Sequence, residues 1–509
     1  MGVLVAVLDK TGENAVRTAL TMLEAMNSNN LEAYGVASPK TIRIEKSLST
    51  LQKTRVKSST AVGYAFSQIL PKDKPQPLKL DDAAIVFDGR LYPVETSRPD
   101  AEIFAAKLVS NLEQATSTFA KKADGDFALA VAKPRKIVVA RDSMGVRPLY
   151  YGENQEFAAL ASEQKALWSI GIKNTNSYPP GCVSLVDGTG FKFTVARRIT
   201  FSAPKQITMQ TAARELQTLL EHSVNERVSD LKEVAIAFSG GLDSSVIASL
   251  VKKINKNVVL IHVSLQNAPE VEYAKQAAEH LKLPLYCYLH TENEVLTTIQ
   301  KVLAAIEEPD PVKVSIGIPI YWAAEKAREI GFNVLLAGQG ADELFGGYKR
   351  YVDKYLEGGP ERVEKSIFND VTRMYIDNLE RDSKICNHLN VELRLPFATR
   401  RMANFALSLP LELKLDRTSS TLRKLILRRV AEDLLLPPKI ANKPKKAIQY
   451  TTGISKTLKK IARQQRTTIA AYLQKTYEKN LRNNKPPTGR VPRRPPIKKL
   501  SETKGFFGS

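Results

Sequence analysis

The sequence predicts an α/β protein in two unlike parts: a strand-rich α+β sandwich, then a doubly wound parallel sheet. Three observations carry this. Short apolar runs crowd the first 200 residues. Strands and helices alternate after Thr211. The first strand of the second part meets its following helix through the glycine turn Ser239-Gly240-Gly241-Leu242-Asp243-Ser244-Ser245. At 509 residues the chain is expected to hold two or three domains, and its 43% hydrophobic content is ample for their cores.

In the first part, apolar runs at 3–8, 33–37, 61–66, 84–87, 127–132, 137–140, 157–161 and 183–186 read as strands. Helical patterns at 15–26 and 101–112 interrupt them. This spacing fits two layers with much antiparallel pairing, not strict β-α-β alternation. A joint is expected near 202–208, a polar stretch holding Pro204. The second part opens with a helix at 212–224. Strand 234–238, the glycine turn, helix 244–254, strand 258–265, helix 271–281, strand 285–289 and helix 294–306 follow. Helix 318–330 then precedes strand 334–337, and the pattern is mostly helical from Glu361 onward. Ligands of such sheets bind at the carboxyl ends of the strands.

The glycine turn lies at such an end. Strand, glycine pair and helix start together aim backbone N–H groups and the helix dipole at one point, which suits an anion. Glycine lets the backbone approach a phosphate closely. Asp243 inside this anion nest makes sense when Mg²⁺ stands between it and the phosphates. No Gly-Lys-Ser/Thr follows, so the turn is not a Walker loop. A second glycine-rich run, Gly338-Gln339-Gly340-Ala341-Asp342-Glu343-Leu344-Phe345-Gly346-Gly347-Tyr348, follows strand 334–337. Asp342 offers another hard oxygen ligand. A plain helix-opening turn with Asp342 as cap is the bland reading. The first motif beside it favours the metal role.

Here the chain resembles the asparagine synthetase family. Ser239 to Ser245 is similar to that family's ATP loop, of the PP-loop type that cleaves ATP between the α- and β-phosphates. Residues 336–348, Glu392-Leu393-Arg394-Leu395-Pro396-Phe397, Leu425 to Arg428, and Lys445-Lys446 match its later motifs. Ahead of them, Ala140-Arg141-Asp142-Ser143-Met144-Gly145-Val146-Arg147-Pro148 matches its glutaminase domain well. Phe87-Asp88-Gly89-Arg90 and Asp124-Gly125-Asp126-Phe127 match it imperfectly. The resemblance runs to about residue 460. It implies an N-terminal Ntn-type αββα sandwich at 1–203 and a PP-loop domain at 208–462; the remainder, 463–509, lies outside it and reads from its composition as a basic, Pro-containing, largely disordered tail.

It also implies a reaction. The β-carboxylate of aspartate attacks ATP, giving β-aspartyl-AMP and pyrophosphate, and ammonia displaces AMP. The resemblance implies phosphate contacts from Ser239, Gly240, Gly241, Ser244 and Ser245, with Mg²⁺ on Asp243 and Asp342. Val263, with its neighbours His262 and Ser264, would touch adenine, and Gly338 the ribose and α-phosphate. Lys445 or Lys446 would stabilise charge on the transferring phosphoryl group. Gln339 stands where the family has a glutamate; it cannot act as a base but can orient a substrate by hydrogen bonding. Glu307, Glu308 and Asp310 are candidates for the substrate pocket, or simply helix-start charges. Glu392 and Arg394 are expected to form a structural ion pair. The resemblance admits a homodimer.

The glutaminase half departs from its family. An Ntn nucleophile belongs at the first residue of the mature chain, where the α-amine is the base. Gly2 has no nucleophile, and no cysteine lies nearer than Cys182. The family's oxyanion-hole Asn-Gly is Asp88-Gly89, and a carboxylate repels a developing oxyanion. Arg90 replaces a glutamine-holding glutamate, and 63–67 lacks the family's arginine. Asp100 alone remains as a relic of amine binding. No glutamine hydrolysis is expected, and free ammonia is the expected nitrogen source.

Charge is uneven. From Lys439 to Ser509 there are 19 Lys/Arg against 2 Asp/Glu, so this end carries +17 of the +22 total. Pro486, Pro487, Pro492, Pro495 and Pro496 favour disorder there. A solvated tail is the plain reading, and an RNA or ribosome contact the sharper one. Cys182, Cys287 and Cys386 have no metal spacing and suit a reducing compartment. The five histidines form no ligand pattern. Without a signal peptide or an apolar stretch of spanning length, a cytoplasmic protein with small-molecule substrates and no membrane contact is expected. Three alternatives stay open: a β-lactam synthetase-like ligase on another carboxylate, an RNA-associated PP-loop protein using the tail, and a scaffold with neither activity.

Overall fold

The computed structural model describes residues 2–26, 31–108, 111–254, 256–266, 268, 270–416, 422–444 and 446–483. The N-terminal part is a four-layer αββα sandwich. One sheet orders its strands Asn176–Ser177, Tyr150–Glu153, Phe157–Ala161, Gly2–Asp9, Thr60–Phe66, Ala33–Ala37 and Ile42–Glu45. The other runs Gly190–Val195, Cys182–Asp187, Lys136–Arg141, Asp124–Lys133, Ala83–Tyr92 and Leu78–Leu80. Every ladder in both sheets is antiparallel.

The layering follows from the two-residue period of a strand. Val3, Val5 and Val7 face helices Ala15–Ala25 and Gln164–Ser169. Leu4, Ala6 and Leu8, between them, face Val86, Ala130 and Val139 of the opposite sheet. That sheet turns Ile85 and Phe87 outward onto Phe104 and Ala120 of helices Asp100–Ala105 and Leu112–Lys122.

The C-terminal part holds a five-stranded sheet in the order Leu285–His290, Asn257–Leu265, Glu233–Ala237, Val334–Leu336, Glu392–Arg394. All four ladders are parallel. Its three inner strands are largely apolar runs because helices cover both faces. The order of connection reverses between Glu233–Ala237 and Val334–Leu336, so the loops leaving those two neighbours open a crevice.

Several boundaries differ from expectation. The helix after the glycine turn starts at Leu242, with Gly241 as N-cap, and not at Ser244. The helix expected from 318 begins at Pro311, because Asp310 accepts a hydrogen bond from Lys313 N at 2.8 Å and proline suits the first turn. The expected start of a disordered tail at 463 falls inside helix Ile454–Gln464, and helix Ile469–Asn483 follows. Ile454, Leu458 and Ile461 bury one face of the first of these while Lys456, Lys459 and Arg463 remain exposed. The proline-rich segment beyond lies outside the described residues. Among the described residues no helix is long and apolar enough to cross a membrane.

Candidate active site

The two glycine-rich loops meet at the crevice, around a cavity of about 660 Å³. Gly240 has φ +65°, and a Cβ there would stand 2.7 Å from Ala274 Cα, so the loop can lie against helix Glu270–Leu281 only with glycine. A Cβ on Gly338 would stand 3.0 Å from the Cβ of Asp243, which puts the second loop in contact with the first. Ser239, Gly241, Asp243, Ser244, Val263, Gly338, Gln339, Asp342 and Lys446 line the cavity. Ser239 Oγ accepts from Gly241 N at 3.3 Å and lies 3.3 Å from Ser244 Oγ. Gly240 and Ser245 stand behind the wall instead. Ser245 is fully buried, and its Oγ has no hydrogen-bond partner among the described residues. Lys445 lies outside the described residues.

Where His262 and Val263 line the cavity, His262 Nδ1 sits 2.9 Å from Phe238 O, so the proton resides on that nitrogen. Burial lowers the pKa of the ring and keeps it neutral. Glu270 and Lys443 close this end with an ion pair of 2.6 Å, and the Lys443 ammonium lies 4.2 Å from the Tyr273 ring centre.

The centre of the site is a residue the sequence reading did not single out. Lys424 Nζ lies 2.7 Å from both carboxylate oxygens of Asp243 and 2.7 Å from Asp342 Oδ1. Lys424 is 2% exposed and takes a left-handed backbone (φ +60°) as it caps helix Leu425–Asp433. Two carboxylates 99 residues apart thus grip one cation. That arrangement fits Mg²⁺, which takes one or two carboxylates and leaves its other positions to phosphate and water. Among the described residues no third carboxylate, His or Cys joins them. Gly347 makes the packing possible, since a Cβ there would fall 1.9 Å from Asp342 Oδ1 and 2.5 Å from Lys424 Cε.

Beyond Gln339 the cavity has a charged second end. Arg381 lines it while 3% exposed. Its Nε donates to Asp382 at 2.6 Å and Nη1 to Asn378 Oδ1 at 3.3 Å, while Nη2 is buried with no hydrogen-bond partner among the described residues. Glu343, buried below, accepts from Tyr348 Oη and from Asn378 Nδ2 at 2.6 Å. Burial, then the neighbouring Asp342, raise its carboxyl pKa. Asp310 lines this end as a helix cap. Glu307 and Glu308 do not reach it, contrary to their candidacy. Glu308 pairs with Lys313 at 2.7 Å. Glu307 turns away toward the N-terminal part, accepting from Gln164 N and Lys165 N at 2.9 and 2.8 Å and from Lys384 at 2.5 Å.

The expected glutaminase relic is filled with protein. A Cβ on Gly2 would fall 2.0 Å from Ala65 O and 2.7 Å from the Tyr64 ring. Gly2 N donates to Asp88 Oδ1 at 3.3 Å, which also accepts from Tyr64 Oη. Arg90 is buried, with its fork on Asp73 at 2.5 and 2.7 Å and on Asp100 at 3.2 Å. Asp100, the supposed amine holder, is further paired with Lys72 at 3.3 Å and accepts from Leu91 N at 3.1 Å. Arg90 continues to Glu392 at 2.7 Å in the other part of the chain. There Glu392 meets Arg394 at 2.7 Å, in the ion pair expected, and Arg394 meets Asp230 at 2.6 Å. The attraction of these guanidinium groups outweighs burial and holds the Glu392 carboxyl well below its usual range. A parallel clamp joins Arg141 and Tyr150 to Glu380 at 3.0 and 2.8 Å.

Residues 215–359 and 352–486 match the family model for asparagine synthase, and residues 65–169 match one for a glutamine amidotransferase domain. A Methanocaldococcus jannaschii protein that bears the name asparagine synthetase (glutamine-hydrolyzing) 1 is 36% identical over 67% of this chain and 71% of its own length. Asparagine synthetase B (glutamine-hydrolyzing) of Escherichia coli is 27% identical over 74% and 69%. The Gallus gallus asparagine synthetase (glutamine-hydrolyzing) is 26% identical over 66% and 64%. The matched residues include both glycine-rich loops, the paired aspartates and the lysine between them, and with that match the chain belongs to the asparagine synthase family.

Proposed function

We propose that this protein is an ATP-dependent asparagine synthetase that takes free ammonia. One observation carries the reading most: Asp243 and Asp342, from two loops at the switch point of the sheet, share a single cation position beside a cavity of about 660 Å³. ATP would lie with its base toward Val263 and His262 and its phosphates over Ser239, Gly241 and Ser244. Mg²⁺ held by the two aspartates would neutralise charge on the leaving pyrophosphate. The aspartate substrate would place its α-carboxylate on Arg381, whose uncommitted Nη2 supports that role, and aim its side-chain carboxylate at the α-phosphorus. An oxygen–phosphorus bond forms and the α–β anhydride bond breaks. Ammonia then attacks the acyl carbon and AMP leaves. Lys446 is the described cation of the Lys445-Lys446 pair that lines the cavity, and it would meet developing phosphoryl charge. Gln339 would orient the acid by hydrogen bonding.

Glutamine would not be the donor. The side chain of Arg90 fills the relic pocket, Asp88 opposes an oxyanion, and no Cβ fits at residue 2. ATP–pyrophosphate exchange measured across carboxylic amino acids, with ammonium and glutamine offered separately, tests the reading. Exchange with aspartate, and amide formation with ammonium but not glutamine, is the expected result. Exchange with a different acid alone would transfer the site to a β-lactam synthetase-like ligase, and none with any acid would end the ligase reading.

A further inference from the structure

We infer that Lys424 is a positioning residue, the resident counter-ion of the metal site. It holds Asp243 and Asp342 together in the nucleotide-free protein, and a divalent ion binds there only together with polyphosphate, which receives the displaced ammonium. This rests on the reading of Asp243 and Asp342 as metal ligands.

Three observations carry it. The ammonium occupies a point shared by both carboxylates, at 2.7 Å from three of their oxygens. It cannot withdraw toward the second loop, because Gly347 is already so close that even a methyl would collide with Lys424 Cε. Its main chain is held: residue 424 is buried, its carbonyl accepts from Arg428 N at 3.0 Å, and Leu425 N after it donates to Lys414 O at 3.1 Å. Lys424 also lines the cavity, which is open to its ammonium. A metal arriving alone would have to share two carboxylates with a fixed positive charge or drive that charge into an unpaired position, and both are unfavourable. A metal arriving on a triphosphate brings new anionic oxygens for the ammonium to join, so the exchange of partners leaves no charge stranded. The device would keep free metal out of the site between turnovers and make metal and nucleotide enter as one.

Titration of the full chain with Mn²⁺ alone, followed by electron paramagnetic resonance, tests this. Lys424→Met is expected to bind one Mn²⁺ at least about tenfold more tightly than the unsubstituted protein, because one fixed positive charge has been removed. Adding Asp243→Asn should abolish that gain, and Lys424→Arg, which keeps the charge, should behave like the unsubstituted protein. Lys424→Gln serves in place of Lys424→Met if the latter does not fold. Equal Mn²⁺ affinity with and without the lysine, or no Mn²⁺ binding by either neutral variant, overturns the inference. So does a change in melting temperature without a change in Mn²⁺ affinity, the mark of a merely structural ion pair. Absence of exchange with every acid would sink the ligase reading and leave the Mn²⁺ result standing. Normal exchange with unchanged Mn²⁺ affinity would sink this inference alone.

Discussion

Gly2→Cys restores the missing thiol, and the structure says that it restores nothing else. Gly2 pairs with Phe66 in the ladder to strand Thr60–Phe66, and the Cβ of any residue at this place falls 2.0 Å from Ala65 O. That carbonyl belongs to a central strand and cannot move without disturbing its neighbours. The Tyr64 ring, 2.7 Å away and 1% exposed, has nowhere to turn. Overpacking of this kind costs about 1–3 kcal/mol. At roughly 2–4 °C per kcal/mol for a domain of this size, melting should fall by several degrees. Chemistry gains nothing in return. A carboxylate at Asp88 replaces an oxyanion donor, a loss worth about 10²–10³-fold by itself, and Arg90 fills the space the substrate would need. Glutamate release from glutamine, measured on the purified variant beside a melting curve, should stay at the level of the unsubstituted protein while the transition moves down. Glutamine turnover above that level with an unchanged melting temperature would refute the steric argument.

Other substitutions report on other parts. Asp243→Asn should cut ATP–pyrophosphate exchange by about 10²-fold or more, since a lost metal contact removes several kcal/mol of charge stabilisation; a smaller loss would move the metal elsewhere. Arg381→Lys should raise KM for the acid by about tenfold and leave KM for ATP unchanged, because a point charge cannot replace a planar fork; equal effects on both would remove Arg381 from the acid end. Arg90→Met strips the cation from Asp73, Asp100 and Glu392 and should lower stability to urea by about 3–5 kcal/mol; a loss under about 1 kcal/mol would mean the network is dispensable. His388 gives a pH signature. Burial, with Lys165 and Lys301 nearby, pushes its pKa down to about 4, so the unfolded chain binds the proton first. Its contribution is full above the unfolded value of about 6.5 and is lost as pH falls toward 4, up to about 3 kcal/mol in all. His388→Gln should flatten the stability slope across that window, and an unchanged slope would assign it to other groups.

Much of this was legible in the chain because it is local. Alternating and continuous apolar runs marked both kinds of sheet, and glycine runs after two of those strands marked the crevice. The reversal of strand order that brings Ser239–Ser245 beside Gly338–Asp342 is consistent with that reading. What escaped is long-range. Lys424 meets Asp243 across 181 residues, and nothing in Arg423-Lys424-Leu425 announces a cation aimed at two carboxylates. Arg381 lies within a run of charges, Glu380-Arg381-Asp382, that reads as a solvated helix face and is in fact buried. The alternation of side chains gave Glu307 no direction either. A left-handed turn at its own backbone, φ +59°, swings it out of the crevice and onto the neighbouring part. Helix Ile469–Asn483 was missed because it lies within the strongly basic end of the chain, whose charge and prolines read as a tail, although Tyr477 Oη reaches Glu307 O at 3.0 Å.

The seam between the two parts has a practical corollary. On one side stand Arg90, Arg141 and the amides of Gln164 and Lys165; on the other stand Glu392, Glu380 and Glu307, sealed from solvent among them. Anyone trimming the molecule to its nucleotide-handling half would uncover three buried acids, Glu380 stripped of Arg141 and Tyr150, Glu392 left with Arg394 and Glu307 left with Lys384, on a face shaped never to meet water. The front half is the wall against which the rear half is built, so the shortest working form of this protein is expected to keep both.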